Sequence, residues 1–286
     1  MKNLLKRCSY LLPDRLYVAL RYKMKLHKWP NISNPKLYTE KIQWLKLYDR
    51  RPEYTKMVDK YEAKKYIADI VGEQYIIPTY GIWERFDDID FESLPNRFVL
   101  KCTHNSGGVI VCMDKKTLDL ENARRVLEEC LKENYYWHSR EWQYKDVKPR
   151  IIAEEYLYDA EFPDDSIMDY KFLCFNGEPK LIYYAEENTD DPYADIYDMN
   201  FQKLDIQFPE PNSPIIAAAP EKFEEMKEVA RKLSDGLAHL RVDFYYTNGK
   251  LYVGELTFYH CAGIFHIKPE KWNQILGDWI TLPEKQ

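Results

Sequence analysis

The chain has 286 residues, 45% hydrophobic and 31% charged, an ordinary balance for a folded protein with room for one large domain or two lobes. Its net charge of −6 argues against a nucleic-acid binder, and it contains no run of about 18 apolar residues able to span a bilayer. Six scattered cysteines without a Cys-x-x-Cys pair speak against a zinc ribbon or a disulfide framework and for a reduced, cytoplasmic setting.

From the N-terminus, Lys2, Lys6, Arg7, Arg15, Arg21, Lys23, Lys25 and Lys28 face only one acid, Asp14. Such a segment fits peripheral contact with an anionic membrane, but fits better an ordinary helix with a basic outer face, since such helices more often pack on their own protein. Leu4-Leu5 runs straight into Lys6-Arg7, so no cleavable signal is expected. Apolar spacing predicts a helix over Tyr38–Tyr48, bounded by Pro35 and Pro52, and another over Val58–Ile67, with Asp59 as N-cap and Gly72 as its stop. Strands are expected at Gln74–Trp83, Phe98–Cys102 and Val109–Cys112, the last two flanking a small-residue loop. A helix over Leu118–Lys132 follows, then a buried strand at Ile151–Leu157 carrying two acids. Tyr170–Phe175 and Pro179–Tyr184 form a hairpin about Asn176-Gly177. Residues 187–220 are polar and proline-bearing and read as loops; a long amphipathic helix is expected over Glu221–His239 and a last helix from Pro269. The class is α+β with mostly antiparallel sheets.

Two places carry chemistry. Leu240–Phe244 and Leu251–Thr257 flank a turn with Asn248-Gly249, whose residues tolerate the positive φ of a tight hairpin. Alternation puts Arg241 and Asp243 on one face, and Glu255 and Thr257 on one face of the partner strand. If the faces coincide, a cation and two carboxylates share a platform suited to Mg²⁺ carrying nucleotide phosphates. The plainer reading is a half-exposed hairpin with a surface salt bridge. Upstream, Lys101 ends a strand and Thr103–Gly108 offer backbone N–H groups that can fold over phosphate oxygens. It is not a Walker loop, and a plain glycine turn is the alternative. The 24 tyrosines suit stacking on sugars or bases as well as filling a core.

The order of these pieces resembles the ATP-grasp superfamily, and within it the TupA-like ATP-grasp family of bacterial surface-polysaccharide gene clusters. The matching stretches are Thr39–Lys46, Lys101–Gly108, Ile151–Leu157, Asp169–Phe172 and Arg241–Gly263, so the resemblance runs from about residue 35 to 275. It implies an ATP-grasp fold: two α+β lobes with mainly antiparallel sheets clasping ATP. Residues 1–58 would form a short helical region, 59–150 the N-lobe with its phosphate loop, and 151–286 the C-lobe with the metal-binding hairpin. By resemblance, Lys60 and Lys101 contact ATP phosphates and Ser106, Gly107 and Gly108 belong to the phosphate loop. Glu154, Glu155, Tyr156 and Leu157 meet adenine, and Glu161 the ribose. Lys171 is a further phosphate or substrate contact, Arg241 faces the transferred phosphoryl group, and Asp243 and Glu255 hold the metal. Many superfamily members have asparagine where this chain has Thr257, which leaves a smaller ligand at the second metal position.

The activity implied is ADP-forming ligation of a carboxylate to an amine through an acylphosphate, with ATP and Mg²⁺. In this family's setting the acid would be a sugar carboxylate such as a uronic acid, and the amine an amino acid or similar group. Two rivals stand beside it. A nucleotide-sugar glycosyltransferase would use Asp190-Asp191 and Asp195 as metal acids, although no Rossmann-type strand precedes them. An inactive scaffold would rest on the membrane through the basic N-terminus. His260 and His266, near Cys261, lack a fourth ligand for zinc.

Overall fold

A computed structural model describes residues 9–159, 167–186 and 193–285. Lys2, Lys6, Arg7, Glu161, Asp190 and Asp191 lie outside the described residues.

Apolar side chains at helical spacing fold the first part into α1 (Asp14–Leu26), α2 (Tyr38–Tyr48), α3 (Glu53–Val58) and α4 (Glu62–Val71). In the first turn of α2, Glu40 accepts from the backbone N–H of Asn31, Lys36 and Leu37 at 2.9, 3.1 and 3.2 Å, fixing the entering loop. The single helix expected over Val58–Ile67 is broken. Val58 instead ends α3, and Asp59 makes the capping bonds expected of it, its Oδ1 accepting from the N–H of Tyr61 at 2.9 Å and of Glu62 at 3.4 Å and its carbonyl from Ala63 N–H at 2.8 Å, so that α4 runs from Glu62. Gly72, at φ 111°, ends α4 as expected.

Two antiparallel sheets follow. The smaller has the order β1-β4-β2-β3, with β1 at Thr79–Trp83, β2 at Phe98–Cys102, β3 at Val109–Cys112 and β4 at Ile151–Glu155. The first strand starts later than expected, because Glu73–Tyr75 closes as a 3₁₀ turn. Helix α5 (Leu120–Leu131) presents Ala123, Leu127 and Cys130 to Phe98, Leu100 and Ile151, forming a small separate core. The short α6 (Tyr136–Ser139) comes next in the chain.

The larger sheet has the order β7-β6-β5-β8-β9. Its strands are β5 (Met168–Phe175), β6 (Glu178–Glu186), β7 (Tyr193–Tyr197), β8 (His239–Thr247) and β9 (Lys250–Thr257). β7 lies in the stretch expected to be loop. Asp195 disguised it, yet that acid is buried, paired with Lys203 at 2.9 Å and accepting from Ser213 N–H at 3.0 Å. Helix α7 (Phe223–Ser234) stops short of His239 because the chain turns through Gly236 at φ 69° and enters β8. Helix α8 spans Lys271–Asp278.

Met226, Val229 and Leu233 of α7 share one core with Phe172, Val242 and Phe244 of the sheet. The N-terminal helices belong to that same core through Val18, Tyr38, Ile42, Met57 and Val58. So do Tyr144 and Val147, which lie between α6 and β4. No helix among the described residues is long and apolar enough to cross a membrane.

Candidate functional site

The turn joining β8 to β9 is the two-residue pair Asn248 and Gly249, at φ 49° and 74°, so Thr247 faces Lys250 and the register is fixed. Continued unbroken, that register would set Asp243 opposite Gly254; a one-residue bulge at Gly254 shifts it, so that Asp243 faces Glu255 and Arg241 faces Thr257, while β5 brings Lys171 beside Asp243. Leu240, Val242 and Phe244 point the other way into the core. The faces left open by the alternation therefore coincide, and Asp169, Lys171, Arg241, Asp243, Glu255 and Thr257 share one polar side. The bulge brings the chain close at Gly254, where a Cβ would meet the Tyr245 ring at 2.4 Å.

Arg241 grips Asp243 with both arms of its fork, Nε to Oδ1 at 2.7 Å and Nη2 to Oδ2 at 2.6 Å. Its Nη2 lies 3.9 Å from Glu255 Oε2. Its Nη1 donates to His260 Nδ1 at 2.9 Å. Burial, with Arg241 next to it, pushes His260 well below the ordinary histidine range, so the ring is neutral with its proton on Nε2. Burial works against the Arg241 charge, but Asp243 and Glu255 outweigh it and hold the guanidinium charged. Burial pushes the Asp243 carboxyl up, Arg241 pulls it down, and Asp169 and Glu255 push it up again. The two partners pull in opposite senses. A guanidinium does not release its proton, so the pair stays ionic, with an acid short of positive charge. Lys171 pairs with Asp169 at 2.7 Å.

A second wall faces this platform. Lys60, in the turn before α4, donates to the Asn105 carbonyl at 2.6 Å and to Glu255 Oε1 at 3.3 Å, and its backbone N–H reaches the Thr103 carbonyl at 3.0 Å. One ammonium thus ties the β2–β3 loop to the large sheet. Burial pushes Glu255 up, but Lys60, Arg241 and Lys101 together hold it below the ordinary glutamate range. Glu154 of β4 sits between Lys64 at 2.6 Å and Lys101 at 2.9 Å. Its burial is offset by Lys101 and Lys64, and its carboxyl too is lowered. A cleft of about 20 Å³ between α4 and β9 is lined by Lys60, Lys64, Glu154 and Glu255.

In the loop, Ser106 and Gly107 are exposed. Gly107 N–H donates to Asn105 Oδ1 at 3.2 Å, and Gly108 takes φ 67° where a Cβ would meet Cys130 Sγ at 2.4 Å. At the end of β4, Glu155 N–H donates to the Pro78 carbonyl at 3.0 Å, and beyond it Tyr156 and Leu157 are half-buried. The Tyr158 carbonyl takes hydrogen bonds from Thr247 Oγ1 at 2.5 Å and Asn248 Nδ2 at 2.9 Å, which fastens this segment to the β8–β9 tip.

These residues fit a divalent cation carrying phosphates. Asp243 and Glu255 stand side by side in register, and the Thr257 hydroxyl oxygen is buried without a hydrogen-bond partner among the described residues. Among those residues no three His, Cys, Asp or Glu groups form a metal cage. Two carboxylates completed by water and the ligand's own phosphate oxygens are the usual way Mg²⁺ is held. Lys60, Lys64 and Lys101 supply positive charge opposite. Sequence reasoning missed Lys64, whose neighbour Lys65 makes it look like half of a solvated pair, and it missed the buried role of His260. His266 is exposed and stands apart, and Asp195, engaged with Lys203, does not reach the site.

Solved structures similar to this chain include three ligases of low identity. They are D-alanine–D-alanine ligase from Bacillus anthracis with ATP (16% identity, TM-score 0.42, 71% of this chain and 53% of that one), D-alanine–D-alanine ligase from Helicobacter pylori (16%, 0.44, 79% and 61%) and biotin carboxylase from Campylobacter jejuni (14%, 0.43, 88% and 51%). The chain thus spans less than two thirds of the length of each of these. No curated protein sequence matches it. The TupA-like ATP-grasp family model matches residues 40–281, and with the two antiparallel lobes described above the chain belongs to that family and has the ATP-grasp fold.

Proposed function

We propose that this chain is an ADP-forming, ATP-dependent carboxylate–amine ligase that couples an amine or amino acid to the carboxylate of an acidic sugar in surface-polysaccharide synthesis. The observation that supports it most is Lys60, which bridges the exposed glycine loop and Glu255 and so brings a phosphate cradle against a carboxylate platform. ATP with Mg²⁺ supplies a γ-phosphoryl group that activates a carboxylate as an acylphosphate, from which an amine displaces phosphate to leave an amide, ADP and phosphate.

The residues divide the work by charge. Lys60, Lys64 and Lys101 neutralise phosphate oxygens, and the backbone of Ser106, Gly107 and Gly108 closes over them. Glu154, Glu155, Tyr156 and Leu157 border the adenine, and the resemblance alone gives the ribose to Glu161. Asp243 and Glu255 hold the cation, with Thr257 beside them. Arg241 and Lys171 face the transferred group, where fixed positive charge carries most of the catalysis. The acidic-sugar part rests on the family resemblance alone. A cytoplasmic location, with peripheral membrane contact through basic α1, goes with dependence on ATP.

Calorimetric titration of ATP with and without Mg²⁺, on wild type and Glu255→Ala, tests the nucleotide part. Metal-dependent binding lost in the variant is expected, followed by ADP release with uronic acids plus amino acids. A protein that ignores ATP and hydrolyses a nucleotide sugar is a glycosyltransferase instead.

A further inference from the structure

A cavity of about 530 Å³ lies away from the Lys60–Glu255 cleft. It is enclosed by α1, the stretch after α5 and the turn at Cys261–Ile264. Its charge is one-sided. Arg21, Lys25 and Lys132 line it, and none has a carboxylate within ion-pairing distance among the described residues. The one acid on its wall, Glu133, has His138 Nε2 at 3.7 Å. Tyr10 and Trp137, with ring centres 4.4 Å apart, and Tyr17 add aromatic surface. Unpaired cations beside an exposed aromatic ring recognise an anionic sugar: the Tyr10 ring, backed by Trp137, takes its C–H face and the cations take its carboxylate.

The cavity is wired to the platform. Cys261 and Ala262 form part of its wall, in left-handed conformations at φ 48° and 55°. Gln43 Nε2 holds the Ala262 and Gly263 carbonyls at 3.1 and 3.0 Å, and Lys46 Nζ holds the Ala262 carbonyl at 2.9 Å. The residue before this wall is His260, which receives the Arg241 hydrogen bond. On the other side Tyr135, within the stretch that lines the cavity, lies beside Ser106 of the glycine loop and in electrostatic range of both Arg21 and Glu255. Arg21 is half-buried, while Lys25 and Lys132 are exposed.

We propose that this cavity is the binding site for the carboxylate substrate, an acidic sugar, with Arg21 orienting the carboxylate toward the Arg241 end and Lys25 and Lys132 meeting further anionic groups at the rim. The inference rests on the ligase reading above, and adds a substrate site built from α1 and the α5–α6 connection, elements that belong to neither sheet.

The test uses the full chain, in wild type and in Arg21→Met, Lys132→Glu and the combination. Glucuronate, a short uronic-acid oligosaccharide and a nucleotide-linked uronic acid are titrated by calorimetry, ATP affinity is measured on the same samples, and acid-dependent ADP release gives KM. Loss of one charge-assisted contact should weaken acid binding, or raise its KM, by about tenfold, with ATP affinity unchanged. Lys132→Glu changes an exposed side chain, so it reports even if Arg21→Met folds poorly. The three ligands separate a free sugar, a polymer end and an activated precursor as the source of the carboxylate. ADP release with a uronic acid whose KM is the same in all variants would leave the ligase standing and overturn this site. Acid binding lost in the variants without any ADP release would keep the site and overturn the ligase. A wild type that binds none of the three acids overturns the site.

Discussion

Arg241 and Asp243 are bound to each other through both carboxylate oxygens, at 2.7 and 2.6 Å, so the acid placed to hold a cation is already held by the protein's own. A metal must take one of those oxygens from the guanidinium or share it. In Arg241→Met the buried Asp243 and the neighbouring Glu255 lose that partner, and uncompensated buried charge is costly. Mg²⁺ should then raise the melting temperature of the variant more than that of wild type, since it replaces the missing cation. Equal shifts in thermal scans with and without Mg²⁺ would rule out a metal at this pair.

Glu255 is tied to the rest of the protein only loosely, by Lys60 at 3.3 Å and Arg241 at 3.9 Å, with 29% of its side chain exposed. Glu255→Ala should therefore cost little stability, about 1 kcal/mol or less. It should nonetheless abolish Mg²⁺-dependent ATP turnover. A folded variant that still turns over ATP removes Glu255 from the metal site.

Glu154 is a different case, because two lysines depend on it. With Glu154 6% exposed and Lys64 and Lys101 at 15% and 20%, Glu154→Leu strands two ammoniums beside apolar surface. The expected loss is about 3–5 kcal/mol, of which Lys64→Met in the same chain should recover part. Chemical denaturation of the four proteins of that cycle measures the coupling. Additive effects would mean that Lys64 and Glu154 do not act as a pair.

The platform and the second wall were each legible only in part, for physical reasons. Strand alternation put Arg241 with Asp243 and Glu255 with Thr257, but the register that Asn248-Gly249 pins would leave the two pairs on opposite faces, and only the bulge at Gly254, which spacing does not reveal, brings all four together. A helix says still less about depth. Lys64 has the same local sequence signal as Lys65, and only the docking of α4 against β4 separates the buried one from the solvated one. The strand at Tyr193–Tyr197 was hidden by a polar side chain, Asp195, whose partner Lys203 composition does not reveal.

The two loop glycines should behave differently. Gly108 has φ 67° and no room for a Cβ beside Cys130, whereas Gly107 faces open space. Gly108→Ala should cost about 1–3 kcal/mol from strain and overlap, and Gly107→Ala close to nothing. Denaturation midpoints decide it, and equal midpoints would contradict the loop geometry.

His239 is buried with Nδ1 against the Cys174 carbonyl at 2.7 Å and Nε2 against the Tyr38 hydroxyl at 3.1 Å, and burial pushes it down to about 4. Between pH 6.5 and 4 the unfolded chain takes up this proton and the folded chain resists. Stability from the neutral ring is complete above about pH 6.5 and drains as pH falls to 4, by roughly 3 kcal/mol. His239→Gln should lower stability at pH 7 but flatten the decline below 6.5. Parallel stability curves for the two proteins would show that His239 protonates freely in the fold.

The path of the chain between its two cores limits how the small lobe can be treated. Its outer ends look like the margins of a removable cassette, since Glu155 N–H meets the Pro78 carbonyl at 3.0 Å and a short splice could join them. Yet between α5 and β4 the chain leaves the small core, delivers Tyr144 and Val147 to the large one, and returns to lay β4 between β1 and β2. The small lobe is laced to the large one rather than hung from it. Excising 79–154 would carry the small core away whole but take Tyr144 and Val147 out of the large one, so the large lobe does not survive the cut intact.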